Sequence, residues 1–439
     1  MEHMPTVGAF WVIQLKRLLG SLAAGCWSVI FFCVFLLTPA WRSRKDTLVW
    51  CPLPYRPFRD WAIAMRSLGW KTVTVVDGSW FPVSTPEEFD RTMTELVPWC
   101  LRFWAKHVKH YCAFQYVLRH AAVMHTAMGG PLESTPLWRF ESFFLRRAGI
   151  RTICTPLGSE SYPSSSMFDL SLRHGFLRAF PGAAREEWRS TRNIAYWAKH
   201  ADVIISSSAI DALPRFDVLT PNPCVIDVAA HPCKQRYLST DGTNGSVRIL
   251  HAPSFRGYKG TEFIVKAVSE LRDEGLQIEF DLLEKVPRSV VLEHMLTADI
   301  FADELIVTGY GFAAIEAMAT GLPVLSNAER EDLTRLFRRY SFLDESPIVS
   351  SSPETVKKNL RALITNPSLR ETLGRAGRAY AEKYHSHDAA RFLFDTVYGT
   401  LLRGESTDLL RLYHPLDPSL PQTATRIRHP LVDNHLPVL

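Results

Sequence analysis

The chain has 439 residues, of which 46% are apolar and 22% charged; this is ordinary globular usage and enough for two domains, each with its own core. A net charge of +5 is too weak to imply a nucleic-acid partner. The eight cysteines form no CxxC pair and no zinc-type spacing, which reads as free thiols in a reducing compartment.

Taken in chain order, the first signal is an uncharged run, "LLGSLAAGCWSVIFFCVFLLTPAW", from Leu18 to Trp41. A membrane span needs about 20 apolar residues, so residues 18–41 predict a transmembrane or deeply interfacial anchor helix after a lead of residues 1–17. The competing reading is a cleaved signal peptide ending at Ala40. Lys16 and Arg17 precede the run, whereas Arg42, Arg44, Lys45, Arg56 and Arg59 follow it. The positive-inside bias therefore places the bulk of the protein on the cytoplasmic side of a membrane.

From residue 47 apolar strands and helical stretches alternate. "TLVWCPLP", "KTVTVVD", "AAVMHTAMGG", "RTICTPLG" and "DVIIS" read as strands; "FRDWAIAMRSLG", "WRFESFFLRRAG" and "RNIAYWAKHA" read as helices. This rhythm predicts an α/β fold with a parallel, doubly wound sheet. Between them, Leu101 to His120 puts Leu101, Trp104, Val108 and Tyr111 on one stripe and Arg102, Lys106 and Lys109 on another. Such a helix either lies on anionic lipid or is an ordinary domain helix with a solvated basic face.

A loop-rich stretch over residues 221–246 interrupts the rhythm, which then restarts. The break favours two similar domains, residues 47–220 and 247–403, over one large sheet. Residues 404–439, rich in proline and polar side chains, predict a mobile tail.

Two stretches of the second domain carry chemistry. In "HAPSFRGYKGT", His251 to Thr261, a strand leads through a loop bearing Arg256, Lys259 and Gly260 into a helix. Glycine allows close backbone approach, a helix N-terminus favours anions, and Arg and Lys add cations; together they suit a diphosphate. The alternative is a solvated basic loop. In "VTGYGFAAIEAMATGLPVLSN", Val307 to Asn327, Gly309, Tyr310 and Gly311 end a strand, and Glu316 lies within an apolar helix. A buried carboxylate needs a partner, and ribose hydroxyls or a local arginine would serve. Both stretches fall at the C-terminal ends of strands, where open α/β sheets bind ligands.

On these residues the chain resembles GT-B-fold glycosyltransferases, specifically the group-1, family-4-like retaining enzymes, over roughly residues 247–327. The N-terminal half matches more loosely, through "GSE" at Gly158 to Glu160 and "YWAKHADVII" at Tyr196 to Ile205. The resemblance implies two Rossmann-like domains facing a central cleft, here preceded by the membrane helix. In the family the Arg and Lys hold the donor diphosphate, and the second Glu of an E-x7-E motif holds the ribose. Those roles fall on Arg256, Lys259 and Glu316, with Gly260, Thr308, Gly309, Tyr310 and Gly311 completing the donor site. Thr308 stands where the motif's first Glu is expected, a departure bearing on contact with the donor sugar. A family histidine faces the acceptor, and His125 is the nearest candidate, with a core or capping role as its alternative. Gly129, Gly130 and Glu160 would form the acceptor side and the loop facing the transferred sugar.

The activity so implied is transfer of a sugar from a nucleotide-diphosphate donor, with retention, to a lipid-linked or cell-envelope glycan acceptor at a membrane. No cofactor is expected. The chain contains no Asp-x-Asp pair, so cations would replace a chelated metal at the leaving diphosphate. Two other classes stay open. "GYGFAA" also fits G-x-G-x-x-A with Glu329 beyond the next strand, as in an NAD-dependent oxidoreductase. The departure at Thr308 also permits a non-catalytic, membrane-tethered nucleotide-sugar-binding subunit.

Overall fold

The computed structural model describes residues 24–38, 46–78, 84–208, 210–417 and 425–437. Strands β1 (Thr47–Trp50), β2 (Lys71–Val76), β3 (Arg91–Thr92), β4 (Ala121–Thr126), β5 (Arg151–Cys154) and β6 (Val203–Ile204) build one parallel sheet in the order β3-β2-β1-β4-β5-β6. β1 is buried along its whole length, which explains why it reads as a continuous apolar run rather than an alternating one. Strands β7 (Val247–His251), β8 (Ile278–Leu282), β9 (Ile300–Ala302), β10 (Val324–Ser326) and β11 (Val349–Ser350) build a second parallel sheet in the order β11-β10-β9-β7-β8.

Each sheet reverses its winding once, between β1 and β4 in the first and between β7 and β9 in the second. Ligands of open α/β sheets bind outside the carboxyl ends of strands at such switch points. The loops after β1, β7 and β9 therefore define where a site is to be sought, and these are the loops that meet across the cleft.

The chain crosses between domains twice. The connection after β6 runs along the second domain, where Asn222 Nδ2 donates to the Tyr310 carbonyl at 2.8 Å and Tyr237 Oη to the Gly321 carbonyl at 2.9 Å. The helix His387–Tyr398 returns to the first domain and packs on the helix Arg56–Arg66, where Phe394 and Tyr398 share a core with Trp50 and Trp61. The stretch read from sequence as the second domain thus gives its last helix to the first.

The N-terminal anchor finds no support among the described residues. Residues 1–23 and 39–41, part of the expected lead and anchor, lie outside the described residues. Residues 24–37 do form a helix, but no helix among the described residues is long and apolar enough to cross a membrane. This one packs on the first domain: Phe31 stacks on Tyr111 at 4.8 Å, Phe35 meets Phe114 edge-on, and Ser28 Oγ pairs with Tyr111 Oη at 2.8 Å. Its apolar content serves a protein interface on one face. The stripe of Val108 and Tyr111, a candidate lipid-facing surface, is buried in that same interface. The tail is also not free where described: Leu409, Leu412 and Leu431 are buried, and Asn434 Nδ2 donates to the Ser346 carbonyl at 2.9 Å. Scattered leucines between the prolines give that segment enough apolar surface to dock.

Candidate active site in the interdomain cleft

A cavity of about 400 Å³ lies between the two domains, within the size range of small-ligand sites. Arg56 enters from the first domain; Lys259, Arg288, Glu304, Phe312 and Glu316 enter from the second.

The "SFRGYKGT" loop folds as a single helical turn, Arg56's counterpart loop on the second sheet, spanning Arg256–Lys259. Gly260 ends it at φ 74°, and a Cβ there would lie 2.9 Å from Leu305 Cβ, so both conformation and space require glycine. The turn sends its two cations in different directions. Lys259 is buried and faces the cleft, whereas Arg256 has a side chain 41% exposed and pairs with Glu262 at 3.2 Å and Glu284 at 2.7 Å, outside the cleft lining.

Lys259 is not an isolated point charge. Its Nζ lies 2.7 Å from Asp303 Oδ1 and 2.5 Å from Glu304 Oε1. Burial alone would lower the ammonium, but Asp303 and then Glu304 hold it above its ordinary value. Burial pushes the Glu304 carboxyl up to about 7, against the opposing pull of Lys259. Asp303 Oδ2 also accepts the Gly311 N–H at 2.9 Å, so a carboxylate occupies the N-cap of the helix Phe312–Thr320. An entering diphosphate would compete with these two carboxylates for Lys259 and for that helix end.

Glu316, 3% exposed, has the arginine partner that its burial demands. Arg288 Nε donates to Glu316 Oε1 at 2.5 Å. Burial raises the Glu316 carboxyl, and Arg288 followed by Arg56 opposes it. Arg56 reaches from the opposite domain, with its guanidinium 5.1 Å from the Phe312 ring centroid and its Nε 3.5 Å from Asp60 Oδ2.

The remaining donor-side residues shape the turn. Gly309 has φ 114° and donates its N–H to the Asn327 carbonyl at 2.7 Å. Tyr310 lines the cleft, and its hydroxyl lies 3.0 Å from both Tyr380 Oη and His385 Nε2. Thr308 is buried, and its Oγ1 has no hydrogen-bond partner among the described residues.

On the first domain the candidates separate. Glu160 braces the cleft wall by accepting from Tyr55 Oη at 2.6 Å and from the Leu157 and Gly158 amides. Gly129 and Gly130 close over Glu133 and Glu141, whose carboxylates a Cβ would strike at 2.0 Å and 2.2 Å, and they are not part of the cleft lining. His125 is 1% exposed, stacked on Trp50 at 4.5 Å, with Nε2 2.7 Å from Tyr398 Oη. Burial lowers its imidazole to about 3. The structure thus places His125 in the core role, because the returning helix His387–Tyr398 seals it from the cleft. Glu329 lies away from the cleft beside Thr355 Oγ1 and His435 Nε2, each at 3.3 Å.

Sequence reading missed Arg56, Arg288, Asp303 and Glu304. All four follow the carboxyl ends of β1, β8 or β9, so the switch-point rule applied to every strand end would have found them.

The family described as "Glycosyl transferases group 1" matches residues 266–380. Among curated proteins none matches the sequence. Among solved structures the fold is similar to sucrose-phosphate synthase from Thermosynechococcus elongatus, with a TM-score of 0.53 at 14% identity over 82% of this chain and 100% of that one. The catalytic domain of starch synthase IV from Arabidopsis thaliana gives a TM-score of 0.45 at 10% identity over 82% of this chain and 100% of that one. WaaG, a glycosyltransferase involved in lipopolysaccharide biosynthesis, gives 0.40 at 13% over 81% and 99%. The architecture is accordingly a two-domain, GT-B-like α/β fold with parallel sheets.

Proposed function

We infer, from membership of the region 266–380 in the group 1 glycosyltransferases, that this protein transfers a sugar from a nucleotide-diphosphate donor to an acceptor hydroxyl in the interdomain cleft. The observation that carries this reading is the convergence of Lys259, Glu316 and the N-terminus of the helix Phe312–Thr320 on one cavity facing Arg56. The bond from the sugar's anomeric carbon to the diphosphate oxygen breaks, a bond to the acceptor oxygen forms, and the acceptor proton is released.

Charge develops on the leaving diphosphate, and a site that stabilises it in advance lowers the barrier. Arg56, Lys259, Lys285 and Arg288 are the cations that line the cleft; Glu316 would take the ribose hydroxyls, exchanging part of its contact with Arg288. Arg256, at the rim, would reach the diphosphate only after leaving Glu262 and Glu284. Retention of configuration, a metal-independent step and a lipid-linked or envelope glycan acceptor complete the proposal by resemblance to the family.

A thermal-shift series with UDP-, GDP-, ADP- and CDP-sugars, followed by acceptor-dependent nucleotide release with and without EDTA, tests it. The expected result is stabilisation by one donor class and release that survives EDTA. Consumption of NADH without nucleotide release would establish the oxidoreductase instead, and binding without any release the non-catalytic subunit.

A further inference from the structure

The helix of residues 24–37 buries one face in the first domain and leaves the other bare. Val29, Ile30 and Leu37 are 67%, 49% and 81% exposed. That face continues into neighbouring elements. Trp27 lies 6.0 Å from Trp104, which meets Phe103 at 5.3 Å, and Phe103 and Trp99 are 89% and 85% exposed. On the other side Phe32 meets Phe140 at 5.2 Å, and Phe140 and Phe143 are each nearly half exposed. Three separate elements thus present one contiguous apolar surface, with two aromatic side chains more than four-fifths exposed.

Positive charge predominates in the stretch of chain that builds it. Between Val97 and Ile150 the chain carries seven cations, Arg102, Lys106, Lys109, Arg119, Arg139, Arg146 and Arg147, against two acids. Of those acids Glu141 is buried and Glu133 accepts from Asn193 Nδ2 at 2.6 Å; Lys109 pairs with Asp77 from outside the stretch, which leaves the other cations in excess. Several of the cations border the apolar surface directly. Arg102 and Lys106 flank Phe103 and Trp104, Arg139 precedes Phe140, and Arg147 Nη2 donates to the Leu36 carbonyl at 3.1 Å. Apolar side chains with tryptophan among them, rimmed by lysine and arginine, match the acyl boundary and headgroups of an anionic lipid leaflet.

We propose that this composite face, made by residues 24–37, Trp99–Trp104 and Phe140–Phe143, seats the first domain in the plane of an anionic phospholipid membrane without crossing it. A second copy of the chain is the other occupant such a face would accept, but it would bring the same positive rim against itself. The proposal does not rest on the glycosyl-transfer reading, since it concerns a surface away from the cleft.

Flotation of the full chain with phosphatidylcholine vesicles, with or without phosphatidylglycerol, tests it. The protein should float with the mixed vesicles and about tenfold less with phosphatidylcholine alone or in high salt. The exposed pair Trp99→Ser/Phe103→Ser should reduce partition a further tenfold or more at an unchanged melting temperature, and Arg102→Glu/Lys106→Glu should do the same through charge. Failure of the unaltered chain to float overturns the proposal. So does flotation of both variants at the unaltered level, which would assign the tether to residues before position 24 or to another surface. A dimer that both variants dissociate, without lipid binding, would assign the face to a second copy and equally overturn it.

Discussion

Arg288 Nε donates to Oε1 of Glu316 at 2.5 Å, joining the first turn of the helix after β8 to the middle of the helix Phe312–Thr320. Burial raises that carboxyl and Arg288 opposes the shift, so the pair fixes an acceptor for a ligand hydroxyl in place before any ligand arrives. Glu316→Gln should weaken donor binding about tenfold while the fold persists, since shape is kept and one charged acceptor is lost. Arg288→Ala should cost about 1–2 kcal/mol of stability in urea melts, below the cost for a fully buried pair because the arginine side chain is 35% exposed. Equal donor affinity in Glu316→Gln and the unaltered protein would remove Glu316 from the donor site.

Donor affinity should depend on Glu304. Below its value of about 7 the carboxyl is neutral and Lys259 is opposed by Asp303 alone; above it two carboxylates face the site. An anionic diphosphate is therefore repelled more as pH rises, and its dissociation constant should increase about tenfold from pH 6 to pH 8. Glu304→Gln should flatten that profile. A flat profile in the unaltered protein would mean that the diphosphate does not approach this cluster.

The cation supplied across the cleft gives a separate test. Arg56 lies against Phe312 at the helix end where the diphosphate would sit. Arg56→Ala should lower turnover about tenfold or more, with a far smaller change in donor binding by the second domain. If donor binding falls as much as turnover, Arg56 acts on the ground state and the assigned role in the leaving step is wrong.

Acid should destabilise the fold through neutral, buried imidazoles. His125 is lowered to about 3, and His251 and His385 to about 4, chiefly by burial. The unfolded chain protonates near 6.5 while the folded one does not, so it binds more protons there and stability rises with pH. The loss begins as pH falls below about 6.5 and continues to about 4, at roughly 1–2 kcal/mol per histidine by pH 5. Melting temperatures measured at pH 7.5 and pH 5 should show that drop, and His125→Gln should reduce it.

Much of the architecture was written locally. The buried runs of β1, β4, β7 and β9 and the glycines that end the intervening helices carry the βαβ rhythm, because strand and helix periods are properties of neighbouring residues. The loop containing Lys259 and the helix containing Glu316 were legible for the same reason: a glycine turn before a helix, and a carboxylate in an apolar helix, are local anomalies. Side-chain direction was not. One turn of helix sends Lys259 inward and Arg256 outward, according to which acids the folded neighbours supply. His125 was the nearest candidate for an acceptor-facing histidine, with a core role as its alternative, and what decides for the core is a helix more than 260 residues later in the chain that places Tyr398 against its Nε2. The run from Leu18 to Trp41 has the composition of a membrane span, yet its described part spends Phe31 and Phe35 on Tyr111, Phe114 and Phe144. Composition determines how much apolar surface a segment must bury. Only the tertiary structure decides what buries it, because the partners are brought together by contacts between residues distant in sequence.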